Sequence, residues 1–270
     1  MSKKLTILTT IALFLAFSCG QAFGLITKTE SFDSQAAASA NGWGTGSVNP
    51  STMGWCSTNN AGGAAAGEAG GAWDGVAGSG VGGEQRYYAD TTLGDWLTDA
   101  DTFSASGVFI TTSPNWADNA TVGHFNKVPQ SGDVTGVGLV FEGNDNGKLM
   151  ARIDGVDADT QSGWSPNGMS AVACKWNYTY DSGTRVLTAY IEQIDNPSNN
   201  TTLTTTALAS DKHFSLDAFG ISANLYWDWN NTSDQGEIYI DDVTYSSNVP
   251  EPATIAILGL GSLVLLRKRR

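Results

Sequence analysis

The sequence predicts an all-β protein, an antiparallel β-sandwich with about ten strands. Short runs of alternating apolar and polar residues recur along the chain, and Gly, Asn and Asp separate them. No long stretch has the periodicity of a helix. Between the two chain ends about 225 residues remain, which is enough to bury a sizeable core.

The clearest strand pair lies at 171–194. Positions on one face are apolar and positions on the other face are polar, which is typical of a hairpin with one buried side. Residues 181–183, Asp-Ser-Gly, form the turn. The residues predicted to face the core are Val172, Cys174, Trp176, Tyr178, Tyr180, Leu187, Ala189 and Ile191.

Two further stretches alternate in the same way. Residues 137–153 surround a turn rich in Asn and Gly, which predicts another hairpin. In 218–229 the odd positions are apolar and most even positions are polar, so Trp227 and Trp229 are expected in the core. Additional strands are predicted near 26–32, 106–112, 120–125 and 236–246.

The last predicted strand changes face part-way along. Ile238 and Ile240 share one face, but the next apolar residues are Val243 and Tyr245. A β-bulge at 241–242 would account for this switch and would re-aim a carboxylate.

Residues 36–83 are rich in Gly and Ala, which predicts long flexible loops or a disordered insert. Trp43, Trp55 and Trp73 are spread through this region. We expect them to anchor the loops to the core, with stacking on a sugar as the alternative.

The two chain ends predict export. Lys3 and Lys4 precede an apolar stretch and small residues at Ala22 and Gly24, so 1–24 is typical of a signal peptide that forms a helix. At the other end, residues 253–266 carry no charge and precede Arg267, Lys268, Arg269 and Arg270. A helix of that length rises about 21 Å, which is short for a bilayer core of about 30 Å.

The tail 249–270 resembles the PEP-CTERM sorting signal of bacterial surface proteins. Pro250, Glu251 and Pro252, the apolar segment and the terminal basic cluster occur in that order. The resemblance implies processing by an exosortase, a membrane protease-transpeptidase, in a host that makes exopolysaccharide. We therefore expect a body, 25–248, at the cell surface or in the extracellular matrix, anchored in the membrane by its tail until processing.

The body resembles a concanavalin A-like or carbohydrate-binding jelly roll. The stretches TESFDS at 29–34, YTYDSGTRVLTAYI at 178–191 and GEIYIDDVTY at 236–245 are similar to first, central and last strands of that superfamily. In such jelly rolls an acid of the first strand and one of the last hold a structural Ca²⁺. The resemblance implies a calcium site at Glu30 and Asp241, with Asp33 as a further ligand; the alternative is a solvated acidic edge.

Charge and cysteine content limit the function classes. Residues 25–248 contain 26 acids and eight bases, a net charge of −18, which disfavours binding to nucleic acid or anionic membrane surfaces. Once Cys19 leaves with the signal peptide, Cys56 and Cys174 remain. They either form a disulfide or stay as two buried thiols.

Catalytic patterns are weak. The chain has two histidines, His124 and His213, each expected to be a surface or turn residue. The motif Glu-x-Asp-x-x-Glu, which places paired acids on one strand face of a jelly-roll glycosidase, is absent from the sequence. We therefore predict a protein without enzymatic activity, with a glycosidase that uses loop acids as the alternative.

The expected function is binding of a neutral extracellular polysaccharide. Asn224, Tyr226 and Asp228 lie on the polar face of 218–229 and combine an aromatic ring with an amide and a carboxylate, the mixture that sugars need. The alternatives are that this face is merely solvated and that the protein is a purely structural component of the surface.

Overall fold

The computed structural model describes residues 23–46, 53–72, 85–93, 97–112, 119–127, 136–142, 148–153, 156–157, 172–224 and 237–250. These ranges contain 17 strands and one short helix, which confirms the all-β prediction. The two predicted terminal helices lie outside them. Within these same ranges, no helix has the length and apolar character needed to cross a membrane.

In chain order the strands are β1 (Phe23–Glu30), β2 (Trp43–Gly46), β3 (Gly54–Cys56), β4 (Glu68–Ala72), β5 (Gln85–Asp90), β6 (Leu97–Thr98), β7 (Phe103–Thr112), β8 (Asn119–Phe125), β9 (Gly136–Glu142), β10 (Lys148–Ile153), β11 (Val156–Asp157), β12 (Cys174–Asp181), β13 (Val186–Gln193), β14 (Asn200–Thr204), β15 (Ser215–Leu216), β16 (Ala218–Asn224) and β17 (Glu237–Pro250). The helix α1 (Gln35–Ala40) lies between β1 and β2.

Two large sheets form the sandwich. Sheet A has the order β14-β13-β12-β7-β17-β4-β3, and β1 also pairs with β17. Sheet B has the order β11-β10-β9-β8-β16-β5-β2, and β15 pairs with β6 in a small third sheet. Thr27–Ser247 form one compact unit, and the two chain ends, Met1–Ile26 and Asn248–Arg270, form another.

The predicted hairpins are confirmed. β12 pairs antiparallel with β13, and its residues alternate between buried and exposed along the whole strand. In the turn, Asp181 Oδ1 accepts hydrogen bonds from the backbone N–H groups of Gly183 (2.8 Å) and Thr184 (2.9 Å). β9 and β10 form the second hairpin.

The core lies between the sheets and is rich in aromatic side chains. Trp176 and Tyr178 of sheet A stack on each other, and Phe219 of sheet B stacks on Tyr245 of sheet A with ring centroids 4.1 Å apart. Such contacts contribute about 0.5–1.5 kcal/mol each beyond the burial of apolar area.

The β-bulge predicted in the last strand is confirmed. The register of β17 against β7 shifts between Asp241 and Thr244, and Asp242 has a φ of 47°. The shift brings all four apolar residues that flank it into the core, where each is at most 2% exposed: Ile238, Ile240, Val243 and Tyr245.

The prediction that 36–83 consists of loops is wrong in part. This region contains most of α1 and all of β2, β3 and β4, so it contributes strands to both sheets. The strands are short and rich in glycine, and at Gly70 of β4 a larger residue does not fit, because a Cβ would lie 2.3 Å from the carbonyl oxygen of Ile238. Trp43 is buried in the core, as predicted, and Trp55 donates its indole N–H to the carbonyl of Phe32 at 2.8 Å.

The expectation that His124 is a surface residue is wrong. It is fully buried between the sheets, where Nε2 lies 2.8 Å from the carbonyl oxygen of Ser246 and Nδ1 lies 2.7 Å from the hydroxyl of Tyr178. A carbonyl can only accept, so Nε2 carries the proton and Nδ1 accepts from Tyr178. His213, by contrast, is exposed as expected, beside Asp99.

A buried carboxylate makes a second polar contact between the sheets. Asp90, at the end of β5, accepts hydrogen bonds from the Tyr245 hydroxyl (2.8 Å) and from the Lys28 ammonium (2.7 Å). The N–H and hydroxyl of Thr92 satisfy its other oxygen. Asp90 therefore links β5 of sheet B with β17 and β1 of sheet A.

We predict that His124 makes the protein less stable in acid. Burial lowers the pKa of His124 to about 4, although the hydrogen bond to Ser246 and the charge of Asp90 oppose this shift. In the unfolded chain the pKa is near 6.5, so between pH 6.5 and 4 only the unfolded state gains the proton. The contribution of His124 to the free energy of unfolding should fall by up to about 3 kcal/mol over this range and level off below pH 4.

Urea unfolding from pH 7 to pH 4 measures this effect as the difference between the wild type and His124→Gln. Thr206→Ala changes an exposed side chain that carries no charge and serves as the control, since it should keep the wild-type pH dependence. Parallel curves for the wild type and His124→Gln would contradict the assignment.

Candidate functional site

The predicted glycan site begins at the end of β16. Phe219 and Ile221 are fully buried in the core, so the faces of this strand are those expected from the sequence. Ser222 and Asn224 therefore lie on the outer face of sheet B. Asn224 is the last residue of β16, and Tyr226, Asp228, Trp227 and Trp229 lie outside the described residues.

A polar row crosses sheet B at Asn224. This residue lies opposite Gln85 of β5 and Asn119 of β8, Asn119 lies opposite Glu142 of β9, and Glu142 lies opposite Lys148 of β10. These five residues are therefore aligned in register across five adjacent strands, and each of them is an amide or a charged residue. The sequence did not reveal this row, because its members are far apart in the chain.

The next row inward combines an aromatic ring with hydroxyl groups. Tyr87, Ser222 and Thr121 lie opposite one another on β5, β16 and β8. The ring of Tyr87 occupies the space above Gly46, where a Cβ would overlap it. Tyr87 and Thr121 are half-buried, whereas Ser222 is only 2% exposed. Burial and the charge of Asp217 raise the pKa of Tyr87, so its hydroxyl remains protonated at neutral pH.

The row beyond Ser222 is made of small residues. Gly220 lies opposite Gly123 and Ala89, and Gly123 lies opposite Gly138. A Cβ on Gly123 would come within 2.8 Å of the Cα of Gly138, so these strands approach more closely than larger residues would permit. These residues are buried, so this part of sheet B is closed to a ligand.

A second cluster of polar groups lies on the outer face of sheet A, beneath segment 57–67. Glu68 is fully buried and accepts hydrogen bonds from Thr58, from Asn60 and from the N–H of Ala61 (2.8 Å). Asp242 accepts from the N–H of Ala64 at 2.9 Å. The two carboxylates thus hold this segment on the sheet.

Asp241 lies in the same cluster and is fully buried. Its Oδ1 accepts the N–H of Asp242 at 2.7 Å, while Oδ2 lacks a hydrogen-bond partner among the described residues and faces Gly63. Burial, together with the charges of Asp242, Glu68 and Asp33, raises the pKa of Asp241 to about 7. An unpaired carboxylate oxygen in this setting suits a cation.

The calcium ligands implied by the sequence are only partly brought together. Asp33 is exposed but near enough to raise the pKa of Asp241. Glu30 is otherwise engaged, because its oxygens accept hydrogen bonds from the N–H of Phe32 and the amide of Asn41, both at 2.8 Å. In the described ranges no three His, Cys, Asp or Glu side chains form a group that could hold a metal. Calcium binding stays a prediction, with Asp241 as the residue that best fits it.

Of the two alternatives for the cysteines, the structure has the free thiols. Cys56 lies on β3 and Cys174 on β12, with β4, β17 and β7 between them. Four strand spacings correspond to roughly 19 Å, whereas a disulfide joins Cα atoms less than about 7 Å apart. Burial raises the pKa of Cys174 to about 12 and also raises that of Cys56, so both thiols are poor nucleophiles.

Comparison with known proteins identifies the tail. Residues 248–270 match the PEP-CTERM protein-sorting motif. The chain carries a PEP-CTERM sorting signal. This signal implies export, a cell-surface destination and processing by an exosortase. No curated protein matches the chain significantly.

Solved structures confirm the jelly-roll fold of this chain. A protein of unknown function from Shewanella oneidensis MR-1 has a TM-score of 0.54 at 13% identity, covering 93% of this chain and 95% of that chain. Peanut lectin has a TM-score of 0.50 at 12% identity, and the match covers 83% of this chain and 98% of the lectin chain. Lectin I-B4 from Griffonia simplicifolia has a TM-score of 0.48 at 14% identity, and the match covers 83% of this chain and 100% of the lectin chain. At these identities the likeness shows the fold alone.

We predict that a calcium ion at Asp241 stabilises the fold. At a free concentration about 100-fold above its Kd, the ion would raise the free energy of unfolding by about 2.7 kcal/mol. Removal of the ion by EDTA should therefore lower the Tm by roughly 5–10 °C. Asp241→Asn should abolish the response to EDTA in differential scanning calorimetry. Asp211→Asn changes an exposed acid outside the cluster and serves as the control. An unchanged Tm after EDTA treatment of the wild type would exclude a bound calcium ion.

Proposed function

We propose that this exported protein binds a neutral extracellular polysaccharide without catalysis, through the outer face of sheet B. The observation that carries the proposal is the polar row Gln85, Asn224, Asn119, Glu142 and Lys148, which spans five adjacent strands. Neighbouring positions of the row are one strand spacing of about 4.8 Å apart, and we propose that their amide and charged groups bind a polymer of hydroxylated rings.

The charges of the protein favour a neutral polymer. The row contains one acid and one base, whereas the body as a whole carries a net charge of −18. An acidic polysaccharide would be repelled by that charge unless a divalent cation bridged the two. A neutral chain meets no such barrier and still finds amide and hydroxyl partners.

The lectin-like sandwich supports binding rather than chemistry. The solved structures with this fold include lectins, among them peanut lectin. On this proposal Asn224, Tyr226 and Asp228 contribute to the site, with Tyr226 providing the ring on which a sugar stacks.

We predict that Tyr226→Ala weakens glycan binding at least tenfold with little change in Tm, because stacking on the ring is lost while the core is untouched. Affinity electrophoresis in gels that contain dextran, soluble starch or hydroxyethylcellulose measures the binding, and alginate tests an acidic polymer. Asn224→Ala should weaken glycan binding less than Tyr226→Ala does. Ser210→Ala, an exposed substitution outside the proposed surfaces, is the control.

A wild-type protein that migrates unretarded in every gel would overturn the proposed function and favour a purely structural surface role. Retention of the wild type together with unchanged affinity of Tyr226→Ala would overturn the site. Release of reducing ends from any of the polymers would favour a polysaccharide-active enzyme.

In this proposal the tail is the signal that sorts the protein to the cell surface. β17 runs to Pro250, the first residue of the Pro-Glu-Pro motif, so the last strand of the sandwich leads directly into the sorting signal. The apolar stretch 253–266 anchors the exported chain in the membrane, with the basic cluster on the cytoplasmic side, until an exosortase processes it.

We predict that the mature surface protein lacks residues 253–266. Mass spectrometry of protein released from the cell surface measures its C-terminus. The triple variant Pro250→Ala, Glu251→Ala, Pro252→Ala should keep the apolar stretch, because the motif that the processing enzyme reads is gone. An intact apolar stretch in the wild-type surface protein would show that the tail is a permanent anchor.

A further inference from the structure

We propose that the outer face of β12, β13 and β14 is a second contact surface for the same neutral polysaccharide, centred on Tyr190. The nature of the ligand rests on the proposed function, but the site lies on the opposite sheet. Since sheets A and B share one core, their outer faces point away from each other. A protein with both surfaces could connect two polysaccharide chains.

The Tyr190 surface is a regular grid of hydroxyl and amide groups. Tyr190 lies between Asn177 of β12 and Thr202 of β14. On one side of this row lie Thr179, Thr188 and Thr204, and on the other lie Lys175, Glu192 and Asn200. Apart from the half-buried Tyr190 and Glu192, every residue of the grid is exposed.

Tyr190 is held in place. Its hydroxyl donates a hydrogen bond to Glu192 Oε2 at 2.8 Å, two residues along the same strand. This bond raises the pKa of Tyr190, so the hydroxyl stays protonated at neutral pH. A side chain that is already oriented loses less conformational freedom when a ligand binds.

A second tyrosine on the outer face of sheet A, Tyr239, has a structural role and differs from Tyr190 in its surroundings. Tyr239 of β17 also donates to a glutamate two residues away, Glu237, at 3.0 Å. However, Tyr239 packs in an apolar cluster with Ala61, Val108, Ile110 and Ile194, beneath segment 57–67. Tyr190 belongs to no such cluster among the described residues, and its neighbours on β12 and β14 are polar.

The chemistry of the grid selects a sugar polymer over other partners. A protein interface would need a desolvated apolar centre, whereas this grid offers one ring surrounded by hydroxyl and amide groups. Nucleic acid requires several cations, and the grid has one, Lys175, directly opposite Glu192. A ring for stacking with amide and hydroxyl partners around it is the arrangement that suits a neutral saccharide.

The test compares single and double variants of the exported protein after removal of its signal peptide. Affinity electrophoresis in dextran, soluble starch and hydroxyethylcellulose measures binding, and light scattering of protein mixed with the retained polymer measures cross-linking. We expect Tyr190→Ala to abolish the rise in scattering while leaving binding through sheet B. In the Tyr226→Ala background, Tyr190→Ala should lower the remaining affinity for the polymer about tenfold. Tyr190→Phe keeps the ring and should retain most of both signals.

Asn177→Ala keeps the experiment decisive if Tyr190→Ala unfolds, because Asn177 is exposed and can be removed without a cavity. It should lower the affinity in the Tyr226→Ala background about threefold. Retention of the wild type with scattering and affinity unaffected by Tyr190→Ala and Asn177→Ala would overturn this second surface and leave the proposed function standing. Failure of the wild type to bind any of the three polymers would overturn both.

Discussion

The sandwich depends on a few buried hydrogen bonds that cross from one sheet to the other. Asp90 of β5 bonds to Tyr245 of β17, and His124 of β8 bonds to Tyr178 of β12 and to the backbone of Ser246 in β17. A buried polar group without a partner costs about 1–3 kcal/mol, so sliding one sheet over the other would leave several such groups unpaired. Apolar contacts alone tolerate displacement more readily. The polar contacts therefore determine which residues face inward and, by alternation, which residues form the two outer surfaces.

The acidic composition of the chain has a structural use as well as an effect on solubility. Glu30, Glu68, Asp90 and Asp241 are buried, and each of them accepts a hydrogen bond from a backbone N–H group. A glycine-rich segment such as 57–67 loses much conformational entropy on folding and has few apolar side chains to compensate. Glu68 and Asp242 supply carboxylate acceptors for its N–H groups instead. Net charge counted from the sequence thus overstates the negative charge at the surface.

The sequence predicts the strands that carry strict alternation and misses those that do not. The β12–β13 and β9–β10 hairpins, the inward face of β16 and the bulge at Asp241 follow from the two-residue period of a strand. The short strands between 36 and 83 have too few side chains to produce that period, and His124 has no local pattern that distinguishes a buried ring from an exposed one. The polar row on sheet B depends on pairing between distant strands, so only its member on β16, Asn224, could be named in advance. Tyr190 lay on the predicted polar side of its hairpin, but its polar neighbour on β14 was not visible in the sequence.

The inner faces of both sheets are used to build the core, so specificity for a ligand has to come from the outer faces. On sheet A the part over β4 and β17 is covered by segment 57–67, which leaves β12, β13 and β14 as its open area in the described structure. On sheet B the row of small residues at Gly220 is buried, and in the proposed function the ligand binds nearer the strand ends, at the row that contains Asn224. Both proposed areas combine tyrosine with amide or hydroxyl groups and carry little net charge, in contrast to the strongly acidic body. Because the two areas lie on opposite sides of one rigid core, a polymer bound to one of them cannot reach the other without bending around the domain, and a second polymer chain is the simpler occupant.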